Sequence, residues 1–135
     1  MGKGWIIGAA LIWAMMAGGG AQALDTSARH QAEQIAQCTG RMSAVVEFDW
    51  LLNPTRADEA ARQRQAFVDV LEAMMPYAEA AGMAPREVLA QRISAKRAHA
   101  ELLHIIAFSP DDRQARHARQ LSERFIRACH TLILS

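Results

Sequence analysis

The chain has 135 residues, of which 15 are basic and 14 acidic, with five histidines besides. So even a balance excludes the strong positive field that would draw in nucleic acid or an anionic membrane surface. The sequence has no Gly-rich phosphate loop, no G-x-S-x-G elbow and no H-E-x-x-H, which excludes the familiar nucleotide-binding, serine-hydrolase and zinc-protease patterns.

The start, "MGKGWIIGAALIWAMMAGGGAQA", has one early cation at Lys3, an apolar run from Trp5 to Ala17, and small residues ending in Ala21-Gln22-Ala23. Those are the three parts of a secretory signal peptide, and the run is shorter than the roughly 20 residues that span a bilayer. Residues 1–23 are therefore expected to be a cleaved signal and residues 24–135 one domain with a modest core. Cleavage removes Lys3 and leaves equal numbers of basic and acidic residues. The expected compartment is a bacterial-style periplasm, with no stable membrane insertion afterwards.

Four segments then read as helices. The first, about Thr26 to Leu52, carries Ile35, Cys38, Met42, Val45 and Val46 at spacings of three and four, one buried helical face. Asn53-Pro54 stops it, because the residue before a proline is pushed out of helical geometry. The second, roughly Thr55 to Ala81, has its stripe at Phe67, Val70, Leu71, Met74 and Ala78, with a kink expected at Pro76 and a stop at Gly82. The third begins near Pro85 and carries Val88, Leu89, Ile93, Ala100, Leu103 and Ile106. The fourth opens with Ser109-Pro110-Asp111-Asp112, where Ser109 is the expected cap, and runs along Leu121, Phe125, Ala128, Cys129 and Leu132.

No segment alternates with period two. Four similar helices with short links predict an all-α, antiparallel up-down-up-down four-helix bundle. In that order the first and fourth helices are neighbours, and at about 1.5 Å per residue Cys38 and Cys129 fall within about 10 Å of one level. Two cysteines in an exported domain then predict a disulfide between these helices.

Cys129 is followed by His130, which admits another chemistry. Covalent c-type haem attachment reads as C-x-x-C-H, and only its last two positions are present here. In those two residues and in the four-helix architecture, the chain resembles the exported cytochrome c-prime family. That resemblance implies haem held by Cys129 and His130, with Met42 on the first helix facing it. A metal alternative is "ELLH", where Glu101 and His104 match half of a di-iron bundle motif. Met74, Met75 and Met83 read as core fillers rather than copper ligands. His99 and His104, five apart and so about 140° apart around a helix, form no ligand pair, and His30, His117 and His130 read as solvated surface residues.

The strongest interaction candidate is "EFDWLLNP". Glu47, Asp49 and Trp50 crowd the end of the first helix, where carboxylates oppose the macrodipole and so call for partners. Arg113 and Arg116 of the fourth helix are expected at the same end, and Trp with Arg makes a common interface anchor. Lys96 is expected to snorkel from a partly buried stem. The functional expectation is a non-catalytic binding or accessory protein, without a resident cofactor, whose partner is a protein or envelope component. A homodimer through Met74, Met75 and Tyr77 stays open, and the cofactor carrier is the alternative.

Overall fold

The computed structural model describes residues 19–134. Most of the expected signal peptide, residues 1–18, lies outside the described residues. Four helices follow in order: α1 (Gly19–Leu52), α2 (Pro54–Ala80), α3 (Pro85–Phe108) and α4 (Asp112–Leu134). There is no strand among the described residues. None of these helices is long and apolar enough to cross a membrane.

The breaks between helices have local causes. Asn53 sits at φ −139° and ψ 60°, outside the helix, and Pro54 opens α2 at once. α2 runs on through Pro76 and ends in a motif built on Gly82, whose φ is +82°. There the amide of Met83 donates to the Ala78 carbonyl and that of Gly82 to Glu79. Met83 and Ala78 are both buried, the apolar contact that accompanies such a left-handed stop. Before α4, Asp111 is the cap rather than Ser109: its Oδ1 accepts from the amides of Arg113 and Gln114 at 2.8 and 3.3 Å. Ser109 accepts from the Asp111 amide instead, one step further out, because its hydroxyl lies too far back along the chain to reach the second turn position. α1 begins before Thr26, at Gly19: Ala21, Gln22, Ala23 and Leu24 are good helix formers and no proline stands among them.

α1 is the centre of the molecule. It packs broadly against both α2 and α3, and more sparingly against α4, which leans on α3. Between α1 and α3 the paired residues rise together: Arg29 with Glu87, Gln37 with Gln91, Glu47 with Lys96. Between α1 and α4 they run in opposite senses, Cys38 bonded to Cys129 and Arg41 lying over Phe125. These pairs are consistent with the up-down-up-down order.

The closeness of α3 follows from a row of small residues. Ala32, Ala36, Gly40 and Ala44 recur every four positions on α1 and all are buried. A Cβ on Gly40 would stand 2.2 Å from the backbone carbonyl oxygen of Arg92. α3 turns a mixed face inward. Val88, Ala95, His99 and Leu103 are buried, whereas Leu89 and Ile93 are exposed. Likewise α4 buries Ala118, Ser122 and Cys129, while Phe125, Ala128 and Leu132 face outward. Of the expected stripes, Val88 and Leu103 of α3 and Cys129 of α4 are thus buried, while Leu89, Ile93, Ala100, Phe125, Ala128 and Leu132 fall outside the inward faces. The second helix keeps its expected stripe: Phe67, Leu71 and Ala78 are buried, with Val70 and Met74 packed against the core.

The Cys38–Cys129 disulfide joins positions 91 residues apart with Cα atoms at 5.5 Å. Both cysteines are buried in the main apolar cluster with Ile35, Met42, Phe67 and Leu71. Closing a loop of that length is worth about 4–5 kcal/mol by chain entropy. The Cys38→Ser/Cys129→Ser variant is expected to lose about 4 kcal/mol in urea unfolding. Gly40→Ala offers a second check. Alanine ordinarily favours a helix by about 1 kcal/mol, yet here the overpacking against Arg92 predicts a net loss of about 1–3 kcal/mol.

Candidate functional site

α2 and α4 both hold to α1 but scarcely meet each other. A groove of about 960 Å³ lies between them. Its floor is α1, through Met42, Val45, Phe48 and Asp49, backed by Leu103 and Ile106 of α3. Arg56, Glu59, Ala60 and Gln63 form the α2 wall, and Arg119, Ser122, Glu123, Ile126 and Arg127 the α4 wall. His130 also lines it and stacks on Phe67 of α2, with ring centroids 6.5 Å apart and planes inclined at 14°. The groove therefore has an apolar bed and charged edges of both signs. That is the layout of a binding cleft.

Asp49 is the one acid in this bed. It is 3% exposed, and among the described residues its side-chain bond is from Asn53 Nδ2 to Oδ1, at 3.2 Å. No cation among the described residues pairs with it. It also sits in the last turn of α1, the negative end of the helix dipole. Glu59, at the rim, is differently placed: hydrogen bonds from Gln63 and Arg62, with the charge of Arg62, hold its carboxyl below the usual range.

On the opposite side of α1, towards α3, lies a smaller depression of about 390 Å³. Trp50 lines it, with Leu89, Ile93 and the Glu47–Lys96 ion pair. Trp50, Leu89 and Ile93 are all exposed. The residues expected to form one patch at the bundle end are thus parted. Glu47 and Trp50 belong to the α3 side and Asp49 to the groove, since neighbouring helical positions differ by about 100° in direction. Arg113 and Arg116 line neither, and partner neither carboxylate; Lys96 and Asn53 take those places. With Lys96 level with Glu47, α3 overshoots the end of α1 by about seven residues, or ~10 Å. α4 consequently starts beyond the acids its arginines were expected to meet.

For the haem alternative, both sulfurs are engaged in the disulfide, which leaves Cys129 no thiol for a thioether. Met42 and His130 nevertheless line the same groove. His130 is not the surface residue expected: it is half-buried, and its Nε2 is shut off from water with no hydrogen-bond partner. For the metal alternative, Glu101 and His104 are both exposed, and His104 rests on Phe108 with centroids 5.0 Å apart. Among the described residues no three His, Cys, Asp or Glu side chains converge as a metal site.

A second polar cluster had no signal in the sequence beyond a serine and a histidine on different helices. His99 is 1% exposed, and its Nε2 lies 3.1 Å from Ser122 Oγ. Arg41 is nearby with its guanidinium 4.7 Å from the Phe125 ring centroid. Burial, and then the charge of Arg41, pushes the His99 pKa down to about 4. Burial also lowers that of Arg41. A serine beside a histidine invites comparison with a nucleophile and its base. Here His99 Nδ1 has no partner to orient it, and a base so weakened accepts a proton poorly near neutrality. The pair satisfies two buried polar groups and ties α3 to α4.

No protein-family model matches the chain, and neither a curated protein nor a solved structure shows detectable similarity to it.

The depressed His99 pKa has a consequence with a definite sign. The unfolded chain takes up a proton at His99 near the ordinary imidazole value of 6.5, and the folded chain only near 4. Stability from this residue is complete above the upper value and is lost as pH falls towards the lower, a total of about 3 kcal/mol. The difference in urea stability between wild type and His99→Gln is expected to change by that order across this window. Little further change is expected below it.

Proposed function

We propose that this chain is an exported, non-catalytic binding or accessory protein of the periplasm, and that the groove between α2 and α4 is where it binds. The observation that carries the reading is an open cleft with an apolar bed of Met42, Val45, Phe48 and Ile126 between two helices that do not close over it. Export is supported by the signal-like residues 1–23 and by a buried disulfide, a bond that persists in oxidising compartments. The partner on this reading is a protein or envelope component.

A second reading, the cofactor carrier, has one observation in its favour. Met42 and His130 face the same groove, and His130 Nε2 has no partner. A His–Met pair is an axial ligand set for haem iron, and haem bound there without thioethers would give a Soret band lost in His130→Ala.

The groove is tested with a neutral apolar dye, N-phenyl-1-naphthylamine, whose fluorescence rises in an apolar site. Ala60→Trp, which projects bulk from the α2 wall, is expected to weaken dye binding about tenfold, whereas Trp50→Ala leaves it unchanged. The reverse pattern would move the site to the α3 side.

A further inference from the structure

The acid on the groove floor asks for something the described residues do not supply. Asp49 is almost wholly buried at the negative end of α1, hydrogen-bonded by Asn53 and paired with no cation among the described residues. Arg56 and Arg119 line the same groove without reaching it. A carboxylate in such a place is held at a cost that a buried positive group offsets.

The shape of the groove narrows what carries that group. Its walls run from Asn53 to Gln63 on α2 and from Arg119 to His130 on α4, about 15 Å or three helical turns. The floor is a helix and both walls are helices, so a further helix packs there ridge into groove at the usual 8–10 Å separation. The exposed rim alternates in sign, Arg119, Glu123, Arg127 along α4. Such a rim fixes register against a mixed-charge helix without selecting net charge, whereas a desolvated acid on the floor selects strongly.

We propose that the groove seats one amphipathic helix from a partner protein, apolar face down, with a single basic side chain from that face reaching Asp49. This rests on the groove reading above and adds the chemistry of the occupant. Helix-in-groove recognition reads anchors at every third and fourth position. Here one anchor is a lysine or arginine set among aliphatics.

The probe is an amphipathic peptide of about four turns, leucines on one face and alternating glutamate and lysine on the other, with arginine, leucine or glutamate at mid-stripe. Binding to the full, disulfide-bonded protein is followed by fluorescence anisotropy. The arginine peptide is expected to bind about tenfold or more tightly than the glutamate peptide. Asp49→Asn removes that preference and Asp49→Glu retains it; the second variant guards against loss of fold in the first. Ala60→Trp weakens all three peptides. A glutamate peptide that binds as well as arginine, or a preference that survives Asp49→Asn, overturns the cation assignment and leaves the groove reading standing. Indifference of every peptide to Ala60→Trp overturns the groove itself. Equal binding of a scrambled arginine peptide overturns the helical occupant. A wild-type dimer that Ala60→Trp dissociates in sedimentation also overturns it, assigning the groove to a second copy of the chain.

Discussion

Everything else in this molecule depends on how closely α1 and α3 approach. Gly40 lies against the carbonyl of Arg92 with no room for a methyl group, and the alanines one turn to either side extend the contact. Two helix backbones at such range exclude large side chains from between them. Leu89 and Ile93 are consequently turned to the surface, and α4 packs chiefly on α3. α1 cannot be equally close to three neighbours. Where α4 stands off from α2, the bed of α1 stays open, and that opening is the groove.

Two kinds of bond hold α4 in this position, and they differ in character. The disulfide joins it to α1 within the apolar core. The His99–Ser122 contact joins it to α3 through neutral polar groups, with the half-buried Arg41 nearby. A positive charge next to a buried imidazole keeps that imidazole uncharged, so the contact is strong only while the surroundings are not acidic. α4 is also the most sharply amphipathic of the four helices. It needs its neighbours on one side only, which leaves the flank from Arg119 to His130 beside its buried face free to serve as a wall.

Much of the architecture was legible because short-range chemistry set it. Asn53-Pro54, Gly82, Pro85 and the Ser-Pro-Asp-Asp turn each constrain the backbone within a few residues, and the helices end where these stand. The disulfide was legible for another reason: two buried stripes at one level leave the sulfurs within reach. What escaped is the facing of α3 and α4. A search for stripes of large apolar residues finds Val88 and Leu103, which are buried, but adds Leu89, Ile93 and Phe125, which are exposed, and passes over the small Ala95 and Ala118, which are buried. The candidate patch failed to assemble for a related reason. Asp49 and Trp50 are neighbours in sequence and opposites in space, and only the packing of α2 and α3 on either flank of α1 shows which side each serves. His130 and the His99–Ser122 pair depend on contacts between distant helices, which no local pattern encodes.

The distance along the chain between the bridged cysteines bears on when the groove comes into being. α1 and α2 form a hairpin from neighbouring sequence and α3 packs on the small-residue row, so the floor and one wall are built from residues that precede α4 in the chain. Cys38 must wait for a partner 91 residues later, and long-range closure of this kind comes late in folding. The second wall is thus the last part to be fastened. Without the bridge α4 is held by its packing on α3 and by the His99–Ser122 contact, so oxidation is what ties the second wall of the groove directly to its floor.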